Sequence, residues 1–205
     1  MPVKAIRAPD GEEEMSRPEP PDPAAHPRDL LAGAARHYGE TLVATWCADL
    51  LTGRVEGDDE EFPPLAWLGG RVAGWELGRE AAEGEDHYWP RVWGARGLLY
   101  VWAPEASAAV AAGLGDRAWR VREMSAKLVR LREIGEAADT LTDLTDETLE
   151  PVPRVRAAAV RALGAVGEGE HAPALHVAED DEDAAVRVAA ERGLKELRRR
   201  LDRDV

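Results

Sequence analysis

The 205-residue chain has no asparagine or glutamine, a single cysteine (Cys47), one phenylalanine and only three serines (Ser16, Ser107, Ser125). Each shortage removes a class of chemistry. Without amide side chains, nothing of that kind can complete an oxyanion hole or make the bidentate contact that reads adenine in the major groove. One cysteine builds neither an intramolecular disulfide framework nor a Cys-based zinc site. It suits a reducing compartment, with the cytoplasm as the default. No apolar run approaches the roughly 18 residues of a membrane span, and the start of the chain lacks the apolar core of a signal peptide, so no membrane association is expected. Basic residues are also in deficit: 26 against 40 acidic ones leave a net charge of −14, which opposes generic binding to nucleic acid or anionic lipid.

What is present is helical. Residues 1–27 combine seven prolines with the acidic run Glu12 to Glu14 and read as a disordered tail. From Asp29 to Leu51, the residues Leu31, Ala35, Tyr38, Leu42, Trp46 and Leu50 recur every three to four positions and predict one long amphipathic helix closed by Gly53. Pro63 and Pro64 then open a second helix, reaching Glu80, on which Leu65, Leu68, Val72 and Trp75 share a face. A third apolar run extends from Val92 to Trp102. No stretch sustains the alternation of a strand.

Four segments repeat one another: PRVWGARGLLY from Pro90, WRVREMSAKLV from Trp119, PRVRAAAVRAL from Pro153 and AVRVAAERGL from Ala185. Their anchoring valines, Val92, Val121, Val155 and Val186, are 29, 34 and 31 residues apart, the length of a helical hairpin. Shorter periodic stretches lie between them, so each unit reads as a helix pair, with the Pro64 to Glu80 helix as the partner of the first. In DRAWRVREMSAKLV and EPVPRVRAAAVRALGAVG the chain resembles HEAT repeats of the short bacterial kind, also called bilin-lyase HEAT-like repeats. The resemblance implies an all-α fold: a right-handed, armadillo-like α-α superhelix of about four pairs with a long N-terminal helix. Residues 28–87 then form Trp-rich capping helices and residues 88–205 the repeats. The first unit departs from the pattern, because Trp93 stands where the others have Arg122, Arg156 and Arg187.

An acid precedes each of these arginines by six residues, giving Asp116 with Arg122, Glu150 with Arg156 and Asp181 with Arg187. The recurrence suggests structural pairs, and the resemblance implies that such acids and arginines hydrogen-bond along the stack while the acid caps a helix start. Other positions stay free for function. At about 100° per residue from the valine, the residue before it and the one six after it fall side by side on an exposed flank. Those positions hold Arg91, Arg120, Lys127, Arg154, Arg161 and Arg192, with Leu98 and Ala185 completing the set. In the Trp119 helix, Val121, Met124, Leu128 and Leu131 form the expected buried arc.

Stacking would line the six cations up as a stripe on the second-helix face, which in HEAT-like arrays is usually concave. Charge is segregated in the same sense: residues 89–102, 117–132, 153–164 and 183–201 together carry +13, and the stretches between them −15. Two readings follow. The stripe is a binding surface, or it is an ordinary solvated face whose cations, like Arg198 to Arg200, follow the helix dipole.

All seven tryptophans lie between Trp46 and Trp119. Trp89 and Trp93, one turn apart, and the row Trp67, Arg71, Trp75 fit either core packing or an interaction surface. The five histidines make no metal motif, no phosphate-binding glycine pattern occurs, and neither metal, cofactor nor catalytic residue is expected. The expected function is non-catalytic: an interaction scaffold that presents the stripe, with Trp89 and Trp93, to a protein partner carrying an acidic segment. The alternatives are a nucleic-acid-binding protein akin to HEAT-like DNA glycosylases, using Trp89 or Trp93 beside Arg91 and Arg96, and a bilin lyase or isomerase.

Overall fold

A computed structural model describes residues 17–55, 59–73 and 88–202. Among these residues the chain is all helical, without a strand. Its α-helices are α1 (Pro27–Tyr38), α2 (Glu40–Thr52), α3 (Ala66–Gly69), α4 (Trp89–Gly97), α5 (Ala106–Gly113), α6 (Trp119–Arg132), α7 (Ala138–Asp143), α8 (Pro153–Val166), α9 (Ala172–Ala178) and α10 (Ala184–Leu201). The repeated segments form α4, α6, α8 and α10, and these pack in a row, each against the next. The intervening helices α5, α7 and α9 each pack on the helix that follows. Val92, Val121, Val155 and Val186 are all buried, so the residue that marks each repeat also anchors it. Full burial of such a side chain contributes roughly 1.5–3 kcal/mol.

The row closes tightest between α8 and α10. There Gly164 faces Gly193, and a Cβ built on Gly164 would stand 2.5 Å from the Gly193 Cα. The two backbones meet because neither residue has a side chain.

The N-terminal region differs from expectation in several ways. The helix expected from Asp29 to Leu51 is two helices, broken at Gly39, whose φ of 88° and ψ of 138° no helix accommodates. A period carried across that break assigns the wrong face: Val43, Ala44 and Cys47 are buried with Trp46 and Leu50, whereas Leu42 is exposed. The helix expected from Pro64 is described only as the single turn α3 and its immediate surroundings. Val72 is exposed, and residues 74–87, Trp75 among them, lie outside the described residues. Along α4 pack both α2, which also meets α5, and the turn α3.

Of the tail expected over 1–27, residues 1–16 lie outside the described residues and Pro27 opens α1. The remainder is a strap held by its carbonyls, which prolines retain although they lack an N–H. The Pro18 carbonyl accepts from Tyr38 Oη at 2.9 Å and from Trp67 Nε1 at 2.7 Å, and the Pro23 carbonyl from the Arg71 N–H at 3.0 Å. Arg17 donates to the Asp59 and Phe62 carbonyls at 2.7 and 2.8 Å.

Candidate functional site

The arginines and acids of the repeats join neighbouring units. Arg122 donates from Nε and Nη2 to Glu150 at 2.6 and 2.9 Å, and Arg156 does the same to Asp181 at 2.7 and 2.9 Å. To the acid of its own unit, six residues back, each arginine gives only Nη1, and only to the backbone carbonyl: Arg122 to Asp116, Arg156 to Glu150 and Arg187 to Asp181. Each acid in turn accepts the N–H two residues on, at Ala118, Val152 and Asp183, which fixes the turn before the helix. Bidentate, charge-assisted bonds of this kind are strong and geometrically specific.

The first rung comes from Arg91, whose Nε lies 2.8 Å from Asp116. Arg91 therefore belongs to the ladder and not to the stripe in which it was placed. Burial pushes Asp181 upward, but the hydrogen bonds from Arg156 and the Asp183 N–H, with the charges of Arg156 and Arg187, outweigh it and hold the carboxyl below its ordinary range. The bond to Asp181 keeps Arg156 charged although the side chain is almost wholly buried.

The other stripe residues are not an uninterrupted row of free cations. Glu123, two residues after Val121, is nearly buried beneath them and pairs with Lys127 at 2.8 Å and with Arg154 at 3.5 Å. Arg120 lies over three rings, Trp119 at 4.4 Å, Trp89 at 5.5 Å and Tyr88 at 5.8 Å, and Arg154 covers Trp119 at 5.6 Å. Such cation–π contacts draw the guanidinium groups toward the rings. Trp89 stacks between Tyr88 and Trp93. Trp93 itself is 1% exposed and so packs the core rather than facing a partner. Arg96, named with Trp89 and Trp93 for a nucleic-acid contact, donates instead to the Leu68 carbonyl, and burial lowers its pKa. Arg192 is exposed on α10.

Lys127 and Arg161 border a groove of about 540 Å³ across α6, α8 and α10. Its other cations are Arg130, Arg199 and Arg200, its acids Glu133 and Glu196, and its apolar lining Leu99, Leu131, Ala158 and Ala165. α8 lends the groove Ala158 and Ala165 as part of its floor and Arg161 at its border, and longer side chains of α6 and α10 form the rims. Leu131, expected in the buried arc of α6, is instead 53% exposed and lines this groove.

Arg130, Leu131, Arg199 and Arg200 carry no signal that a single helical wheel picks out. They come together only through the side-by-side packing of three units. A second cavity of about 550 Å³, lined by Arg28, Ala32, Ala35, Glu40, Leu99, Tyr100 and Val101, has one cation and one acid and no comparable charge.

Among the described residues, no three histidine, cysteine or acidic side chains cluster as a metal site, and no helix is long and apolar enough to cross a membrane. The chain matches no family model, no curated protein and no solved structure.

Proposed function

We propose that the chain is a HEAT-like α-solenoid that acts as a non-catalytic interaction module and holds an acidic segment of a protein partner in the groove over α8. A reducing compartment, the cytoplasm, suits its single buried thiol. The observation that carries the reading is the composition of the groove: five cations against two acids around an apolar floor, in a chain whose net charge is −14. Stacked helix pairs give such a surface a rigid frame. Its charge selects acidic partners and makes association salt-dependent, while its apolar floor supplies the contact that charge alone lacks.

The test is capture of partners from source-cell extract by the intact chain and by the double variant Lys127→Glu, Arg161→Glu. A protein retained by the first and lost by the second supports the groove. An identical catch from both would count against it, and salt-sensitive retention of nucleic acid in place of protein would replace this reading with a nucleic-acid one.

A further inference from the structure

Arg130 on α6 and Glu196 on α10 form an ion pair at 3.1 Å. The two helices flank α8 on opposite sides, so the pair spans the groove above the alanines of the middle helix. Both groups are open to water, 48% and 30% exposed, and a surface pair of this kind is weakly held and readily exchanged. Neither rung of the ladder nor helix cap depends on it. Its carboxylate occupies the position where an incoming acid would meet Arg130, and the exposed Leu131 lines the same groove.

We infer that Glu196 is a built-in stand-in for the partner's carboxylate, that Arg130 is the residue that reads that carboxylate, and that the bound segment carries an apolar side chain beside its acid to cover Leu131. This rests on the reading of the groove as an acidic-segment site. A partner displaces Glu196 from Arg130, so part of its binding energy replaces a contact already present. Only segments with both features recover the difference. The device favours an acid with an apolar neighbour over a purely charged chain, which would gain no contact at Leu131.

The probes are two fluorescein-labelled octapeptides, one of glutamate with a central leucine and one with serine at that place. Binding by fluorescence anisotropy is compared for the wild type, Glu196→Gln, Arg130→Gln, the double variant of the two, and Lys127→Glu with Arg161→Glu, all checked for unchanged helicity. Glu196→Gln is expected to bind the leucine peptide about two- to fivefold more tightly, the range an exposed pair can contribute. Arg130→Gln is expected to bind more weakly, with no gain on adding Glu196→Gln. The serine peptide binds the wild type more weakly than the leucine peptide.

Unchanged affinity in Glu196→Gln, with Lys127→Glu and Arg161→Glu still weakening binding, overturns the stand-in and leaves the groove reading intact. Equal affinity for the two peptides overturns the apolar requirement. Failure of every form to bind either peptide overturns the groove reading and this inference together.

Discussion

Replacing Arg156 by methionine tests the ladder where it is most deeply buried. The arginine side chain is 1% exposed and that of Asp181 3%, and the substitution deletes two bonds to Asp181 and one of 3.0 Å to the Glu150 carbonyl. Methionine refills much of the volume of the arginine stem, so the main cost is an uncompensated carboxylate. Breaking a buried pair from one side costs about 3–5 kcal/mol. Asp181 keeps the Asp183 N–H at 2.7 Å, which places the expected loss at the lower end, about 3 kcal/mol. For a chain of this size that lowers Tm by roughly 6–12 °C.

Changing Asp181 to asparagine in the same chain removes the orphaned charge but leaves an acceptor for the turn, and should recover at least about 1 kcal/mol of the loss. Urea unfolding followed by circular dichroism gives both values. Because every tryptophan precedes residue 120, fluorescence reports the N-terminal part separately, and non-coincident transitions would show that the repeats unfold in parts. A single variant within about 0.5 kcal/mol of wild type, or a double variant no more stable than the single, would refute the account.

Four further outcomes follow, the first from the same ion pair and the others from elsewhere in the fold. The depressed pKa of Asp181 gives a contribution present above the unfolded aspartate value of about 3.8 and lost as the pH falls through the folded value. Wild type and Asp181→Asn should therefore differ most in stability near neutrality and converge in acid, as measured by thermal melts across pH. Gly164→Ala drives a Cβ to 2.5 Å from the Gly193 Cα and should cost about 1–3 kcal/mol. Gly135→Ala, with nothing within 4 Å of the added atom, should change stability by less than about 0.5 kcal/mol in the same unfolding assay. Cys47 is fully buried and burial pushes its thiol pKa far up, so it should resist a thiol reagent in the native chain and react promptly in denaturant, as followed by mass spectrometry.

The periodicity of the four valine-anchored segments was sufficient to locate α4, α6, α8 and α10, because a buried valine recurring at hairpin spacing is a direct mark of packing. The acids and arginines were legible as structural, but not their pairing. Spacing within a unit joins Asp116 to Arg122, whereas the carboxylate turns back to Arg91 of the unit before and leaves its backbone carbonyl for Arg122. Arg91 was missed because it reaches its rung from the other side of the valine, where Trp93 has taken the usual arginine position. The N-terminal helices were misread where one glycine reset the phase. The groove was illegible for a different reason. It brings together side chains of three helices, among them a pair 66 positions apart in sequence.

The segregation of charge also changes meaning once the contacts are assigned. The second helices carry +13, but a large share of it is engaged in holding the molecule together. Arg91, Arg122 and Arg156 link units, Arg120 lies on aromatic rings, and Arg132 donates to the carbonyls of Leu98 and Leu99 at the end of α4. Glu123 then draws on Lys127 and Arg154. Dipole placement accounts for Arg199 and Arg200 at the end of α10, yet the same position sets them on the rim of the groove, opposite Lys127 and Arg130. Helix stabilisation and partner attraction are therefore not competing explanations for those arginines. A charge placed at the negative end of one helix contributes to the field over its neighbour, and Ala158 and Ala165 of α8 leave space in which that field can act on a partner's carboxylate.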